Sequence, residues 1–178
     1  MKDHEIEKRF LITEVAQDFP YSRPFKKVEQ GYIELESTNK NLRVRITNGR
    51  NAELTLKSGK GLVREEKEKK IAFDLGIFLT KNLCDFTLNK HRYSKDEWTV
   101  DFFQGPLKGV VIAEIEFKSL KDVPKNLKLP DWIGKGIDVT DSLTSHDLAK
   151  MVSQLKGKNP KKTLNNLLKW LKTNKKSS

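Results

Sequence analysis

The chain has 178 residues, 36% of them hydrophobic and 33% charged, with a formal net charge of +11. That length suits one domain with a sizeable core, and the spread of aromatic and β-branched residues through the first 140 positions excludes a disordered chain. A single cysteine, Cys84, excludes an intrachain disulfide; no stretch resembles a signal peptide or approaches membrane-spanning length, so a cytoplasmic protein with no membrane partner is expected.

In chain order, the first strand is predicted over 5–12 and is followed by a short helical turn, capped by Thr13 and stopped by Pro20. Residues 25–36 read as extended, with Gly31 marking a bulge. A polar turn over 37–41 leads into a strand over 42–47, an Asn48-Gly49 hairpin and a return strand over 52–58. Beyond the Gly59-Lys60-Gly61 turn, residues 62–73 carry alternating charge, and 74–82 form a short helix with Asp74 as N-cap. Strands follow over 86–93, 98–103 and 109–117, giving eight in all. Residues 119–147 read as irregular, Ser145 caps a helix over 146–155, and Asn159-Pro160 opens a last helix. Eight short strands joined by tight turns predict an α+β protein built on an eight-stranded antiparallel β-barrel or a sandwich, flanked by helices.

Period-two alternation sorts the charges onto one face of each strand. That face carries Glu5, Glu7 and Arg9; Arg43 and Arg45; Glu53 and Lys57; Arg64, Glu66, Glu68 and Lys70; Lys90 and Arg92; Asp101; and Glu114 and Glu116. The opposite face is apolar in several strands, as in Leu42, Val44 and Ile46, or Ala113, Ile115 and Phe117. Alternation alone does not say which face meets solvent. Either the charges are outside and salt-bridged, or they line the lumen and helices cover the apolar face. Chemistry leans to the second arrangement. Glu-x-Glu pairs suit Mg²⁺ or Mn²⁺, which prefer oxygen ligands, while arginine and lysine match phosphate oxygens.

The ordered set Glu5-x-Glu7-x-Arg9, Arg43-x-Arg45, Thr55-x-Lys57, Arg64-Glu65-Glu66-x-Glu68, Lys90-x-Arg92, Trp98-x-x-Asp101-x-Phe103 and Ala113-Glu114-Ile115-Glu116 resembles the CYTH superfamily, the triphosphate tunnel metalloenzymes. The resemblance spans about residues 4–147 and implies an eight-stranded antiparallel tunnel domain over 1–147 that hydrolyses a triphosphate with a divalent metal, Mg²⁺ or Mn²⁺. It implies catalytic roles for Glu5, Glu7 and Arg9, and substrate binding by Arg43, Arg45, Lys57, Lys90 and Arg92. It also implies metal binding by Glu114 and Glu116 with Glu66 or Glu68, either a second metal on Glu5 and Glu7 or direct orientation of the attacking water by them, and either metal ligation by Asp101 or the ordering of a basic residue. One position departs from the usual pattern: Arg9 stands where the family has lysine, and Lys8 occupies the variable place. Arginine keeps its proton. The implied partner is a triphosphate-containing small molecule, inorganic tripolyphosphate first. The alternatives are another triphosphate-acting activity, thiamine or nucleoside triphosphatase or adenylyl cyclase, or a non-catalytic polyphosphate- or RNA-binding module.

Tyr32 is expected either at the tunnel mouth or as a structural aromatic, Trp98 in the core, and Trp132 and Trp170 against C-terminal helices. His4, His91 and His146 show no metal-ligand spacing. Nine lysines and no acid lie between Leu148 and Ser178, so residues 1–147 carry only 11 − 9 = +2. Leu164, Leu167, Leu168 and Leu171 share one helical face in this tail over 148–178. It is expected to pack on the same domain, with nucleic acid or a second subunit of a homodimer as the less favoured partners.

Overall fold

Short β-forming runs separated by Gly, Asn and Pro turns fold, among the described residues, into nine antiparallel strands and two α-helices. The computed structural model describes residues 4–35, 40–58 and 61–154. The strands are β1 (His4–Val15), β2 (Lys26–Glu34), β3 (Lys40–Thr47), β4 (Asn51–Ser58), β5 (Val63–Ile71), β6 (Phe86–Lys95), β7 (Trp98–Phe103), β8 (Val111–Phe117) and β9 (Gly134–Asp138). Helix α1 (Phe73–Asn82) follows β5, and α2 (Ser145–Gln154) closes the described chain. The order β5-β4-β3-β2-β6-β7-β8-β1 returns from β1 to β5 and closes an eight-stranded barrel.

The twelve-residue β1 serves two partners along one edge. His4 to Ile6 pair with β5 and complete the barrel, while Phe10 to Val15 pair with β9. That ninth strand was expected to be irregular chain. It is five residues long, contains two glycines and has no alternation of its own; the overhang of β1 supplies its hydrogen-bonding template. Gly134 sits there at φ +110, and a Cβ would lie 2.1 Å from the Glu14 carbonyl oxygen.

Other local expectations change for physical reasons. No helical turn forms after β1, because pairing with β9 carries the strand on to Val15. Gly31 is not a bulge, since β2 keeps regular register with both neighbours. Its missing side chain makes room for Cys84, whose Sγ would lie 2.4 Å from a Cβ at that position. The residue before α1 is Ala72, with Asp74 inside the first turn, where its charge suits the helix dipole. The start of α2 is capped by Thr144, one residue before the expected Ser145: the Asp147 amide donates to Thr144 Oγ1, and the Thr144 amide donates to the Asp147 carboxylate.

The barrel interior has two halves. Glu5, Glu7 and Arg9 face inward along β1, and so does Leu11, the next residue in that alternation, which is fully buried. Leu88, Phe103 and Ile112 take the same inward positions on β6, β7 and β8. With Tyr32, Leu107, Leu143 and α2's Leu148 and Ala149 they fill one end as an apolar plug. The outward residues Phe10, Trp98, Val100, Ala113 and Ile115 form a second cluster, covered by Phe19 and Ile133. Trp132 packs in this cluster beside Phe19, whereas α2's Leu148 and Ala149 belong to the other cluster. Val44 and Ile46 are buried outward on β3, where Gly76 lets α1 approach Ile46 and Ala52. Trp170 and the expected helix over 160–171 lie outside the described residues.

Gly134→Ala adds a methyl group against backbone at a left-handed φ. It is expected to cost about 3 kcal/mol or more, read as a lower urea midpoint with an unchanged fold by circular dichroism.

Candidate active site

Strand register decides which charges meet, because residues directly opposite on one face of a sheet are nearest neighbours. Glu7 lies opposite Glu116 and Arg9 opposite Glu114 across β1 and β8. Glu5 lies opposite Arg64 where β1 closes onto β5. Lys57 faces Glu66 and Thr55 faces Glu68 across β4 and β5. Arg43 and Arg45 on β3 have Tyr32 and Gln30 beside them on β2, and Arg92 lies opposite Asp101.

The charged half encloses a cavity of about 1240 Å³. Every residue expected in the site lines it except Asp101. The lining also takes in Arg64, Gln30, Lys40 and the first turn of α2, which sequence reasoning left out of the site. Arg64 was visible as a member of the charged face. Gln30 faces inward on β2 in the alternating row Val28, Gln30, Tyr32, and being neutral it does not stand out on a charged face; the α2 residues have no strand periodicity and reach the cavity through tertiary packing. Among the lining residues, nine are Lys or Arg and eight are Asp or Glu.

At the seam, Lys57 Nζ lies 2.9 Å from both Glu5 and Glu66, and Arg64 donates to Glu5 at 2.7 Å and also to Glu7. Arg43 donates to Thr55 and Glu66, each at 3.1 Å. Thr55 Oγ1 donates to Glu68 at 3.3 Å. Burial opposes ionisation of Glu66, but Lys57 and Arg43 still hold its carboxyl below the ordinary value. Burial, reinforced by Arg43, lowers the pKa of Lys57.

A second network lies deeper. Asp101, 1% exposed, accepts from Lys90 Nζ at 2.6 Å and from Arg92 Nε at 2.7 Å. It therefore orders two basic residues from behind the cavity wall. Arg92 also donates to Glu114 at 2.9 Å, and Arg9 Nε donates to Glu114 at 3.2 Å. Glu114 thus accepts from two guanidinium groups. Burial works against charge on Glu114, but Arg92, Lys90 and Arg9 hold its carboxyl far below the usual range. Burial pushes Lys90 down to about 8, with Arg92 acting in the same direction and Asp101 opposing.

Arg9 is 2% exposed and fully engaged. Besides Glu114, it donates to Glu7 and, at 2.6 Å, to the Leu143 carbonyl in the turn before α2. Lys8 points outward and donates to Asp138 at 2.7 Å; β1 keeps unbroken register with β8 from Ile6 to Leu11, so Lys8 does not take the inward place.

One carboxylate group remains close-packed. Ligand oxygens of Glu5, Glu7 and Glu116 all lie within 4.8 Å of one another. Burial, then Glu114 and Glu5, raise the pKa of Glu7 in spite of Arg9 and Arg64. Three hard oxygen donors with mutual repulsion are the donor set a divalent cation satisfies, so the residues fit Mg²⁺ or Mn²⁺. Glu66 and Glu68 do not join this trio. On the basic side, Nε of Arg43, Arg45 and Arg64 and Oε1 of Gln30 are buried without a hydrogen-bond partner among the described residues. Arg45 reaches its carboxylate, Glu53, only at 4.0 Å. Burial, then Arg43 and Arg92, push its pKa down to about 10. Tyr32 is 3% exposed at the junction of cavity and plug, with His146 in edge contact at 5.2 Å. His91 stacks on Phe25 outside the barrel.

No family model matches the chain. It is 34% identical over 154 residues to an inorganic triphosphatase of Acetivibrio thermocellus, a match spanning 82% of this chain and 93% of that protein. Its fold is similar to that of the hypothetical protein NE1496, at 27% identity and a TM-score of 0.56, over 82% of this chain and 97% of that one. A structure of the inorganic triphosphatase NE1496 matches at 26% identity and a TM-score of 0.52, over 77% and 90%. HpAC1 of Hippeastrum shares the fold at 16% identity and a TM-score of 0.50, over 67% and 81%. A closed antiparallel barrel with an ionic lumen is the architecture of the triphosphate tunnel proteins. The chain belongs to that CYTH superfamily, in the family of the Acetivibrio inorganic triphosphatase.

Arg92 and Lys90 hold the Asp101 carboxyl below its ordinary pKa although burial opposes them. The unfolded chain therefore binds this proton more readily, and the stability gained is present above the unfolded pKa and lost as pH falls below it. Asp101→Asn is expected to cost about 3 kcal/mol at pH 7. The gap to the parent protein narrows as acid protonates Asp101, a trend checked by urea unfolding at pH 7 and pH 3.

Proposed function

We propose that the protein hydrolyses inorganic tripolyphosphate in the barrel lumen with the help of a divalent cation, Mg²⁺ or Mn²⁺. One observation carries this reading: buried, under-partnered guanidinium groups of Arg43, Arg45 and Arg64 share one cavity with the Glu5-Glu7-Glu116 trio. Unfilled N–H donors favour phosphate oxygens, and the nearly balanced lining accepts a polyanion best together with a cation. The relative named an inorganic triphosphatase supports the same substrate class.

Glu5, Glu7 and Glu116 would hold the cation. When bound there, it supplies charge neutralisation at the phosphate oxygens and a lowered pKa for attacking water. Arg45 and Arg43 grip the phosphate chain, and Lys57, Lys90 and Arg92 add positive charge along its path. These fixed cations stabilise charge redistributed toward the leaving phosphate without reorganising in the transition state. Arg9 does not move a proton in this scheme. It orients Glu7 and Glu114, which it holds by hydrogen bonds. A wall of charge suits a substrate that is mostly phosphate.

The test is phosphate release from tripolyphosphate with Mg²⁺ or Mn²⁺, beside ATP and thiamine triphosphate. Tripolyphosphate should be turned over fastest, and chelation should abolish release. Glu116→Gln should lower kcat by about 100-fold and weaken Mn²⁺ binding in calorimetry. Arg45→Ala should raise KM by roughly tenfold. Tight binding of tripolyphosphate with no release under any metal would instead favour a polyphosphate-binding module.

A further inference from the structure

One buried polar side chain of the lumen belongs neither to the carboxylate trio nor to the cationic wall. Gln30 stands midway along β2, is 1% exposed and lines the cavity. Its Oε1 is buried without a hydrogen-bond partner among the described residues. A carbonyl oxygen withdrawn from water and left unbonded costs free energy, so a position that keeps one needs a reason. Packing does not supply it. Across to β6 the register partner of Gln30 is Leu88, a member of the apolar plug. An aliphatic side chain at position 30 would extend that plug without an unbonded polar atom.

Across to β3 the register partner is Arg45. Residues directly opposite on one face of an antiparallel pair are nearest neighbours, so the amide and the guanidinium stand side by side. Arg45 is in the complementary situation. Its Nε is also buried without a partner among the described residues, and its carboxylate, Glu53, lies 4.0 Å away. We propose that Gln30 is a substrate-positioning residue that works as a pair with Arg45: its Oε1 accepts from the guanidinium and fixes it, while its Nε2 donates to a phosphate oxygen of the polyphosphate. This rests on the reading of the lumen as a tripolyphosphate site. The side chain suits the task. A carboxamide carries two donor hydrogens and an acceptor on one planar group, and its terminal torsion is soft, so either end turns toward the cavity with little strain. It is also neutral. Arg43 and Arg92 already oppose charge on Arg45, so a lysine or arginine at position 30 would crowd a further cation against them. An amide adds an N–H donor for phosphate without adding charge.

Gln30→Met keeps the length of the side chain and removes both ends of the amide. In tripolyphosphate hydrolysis with Mn²⁺ it should raise KM by about tenfold, with the smaller change in kcat. Its thermal midpoint without substrate should equal or exceed the parent's, because an unbonded buried carbonyl is lost. Gln30→Glu keeps an acceptor for Arg45 but sets a negative charge where phosphate binds, and should raise KM beyond the Met variant. In the Arg45→Ala background, Gln30→Met should change KM by less than about threefold, since its partner is already gone. An unchanged KM in Gln30→Met, in a parent that turns tripolyphosphate over, would overturn the proposal and leave the reading of the lumen standing. A midpoint several degrees lower would make Gln30 an ordinary structural member of the wall and overturn it too. So would a KM for Gln30→Glu no higher than that of Gln30→Met, or the full effect of Gln30→Met in the Arg45→Ala background. A parent that neither binds nor cleaves tripolyphosphate would remove the reading of the lumen itself, and this proposal with it.

Discussion

Charge buried in a protein interior is tolerated only where opposite charges meet at hydrogen-bonding distance, and this requirement organises the barrel. The pairing is written into register. Glu5 faces Arg64 at the closing seam, Lys57 faces Glu66, Arg9 faces Glu114 and Arg92 faces Asp101. A slip of one residue in any of these strands would turn its charges outward and bring aliphatic side chains into the cavity. The ionic network and the strand pairing therefore specify each other. The seam shows this most clearly, since three register pairs and the Glu5–Arg64 bridge at 2.7 Å close the cylinder between β1 and β5.

Stability and binding are divided between the two ends of the same interior. Leu11, Leu88, Phe103 and Ile112 continue the inward rows that begin with Arg9, Lys90, Asp101 and Glu114, and they supply an ordinary apolar core. Helix α2 seals that end with Leu148 while its first turn lines the cavity. Arg9 sits at the boundary. Its forked guanidinium reaches Glu7, Glu114 and the Leu143 carbonyl at once, tying the carboxylates to the turn that positions α2. A lysine's three donors all spring from one nitrogen, whereas the guanidinium spreads its donors over three nitrogens in a planar fork. The arginine in the first motif is thus matched to this turn, and the lumen retains Lys57 and Lys90 as its buried lysines.

Much of this was legible in the sequence because period-two alternation is local. The inward placement of Glu5, Glu7, Arg43, Arg45, Glu66, Lys90 and Glu116 follows from spacing together with the resemblance to the tunnel family. What alternation could not supply was the neighbour across the barrel. Glu114 and Glu116 are two residues apart on one face, and register sets the first opposite Arg9 and the second opposite Glu7. Asp101 belongs to the charged face but is consumed by Lys90 and Arg92. Strand β9 has no hydrophobic signature, since β1 induces it, and Gly31 reads as a bulge until Cys84 is seen against it. These are long-range facts, set by pairing partners distant in the chain.

The central claim is that a divalent cation and a polyphosphate meet inside this cylinder. Anomalous diffraction from crystals of the full chain soaked with Mn²⁺ and a non-hydrolysable triphosphate analogue tests it most directly. A manganese peak among the Glu5, Glu7 and Glu116 carboxylates, with phosphate density running to Arg43 and Arg45, is the predicted result. Manganese on the outer surface, with no phosphate density inside the barrel, would contradict it.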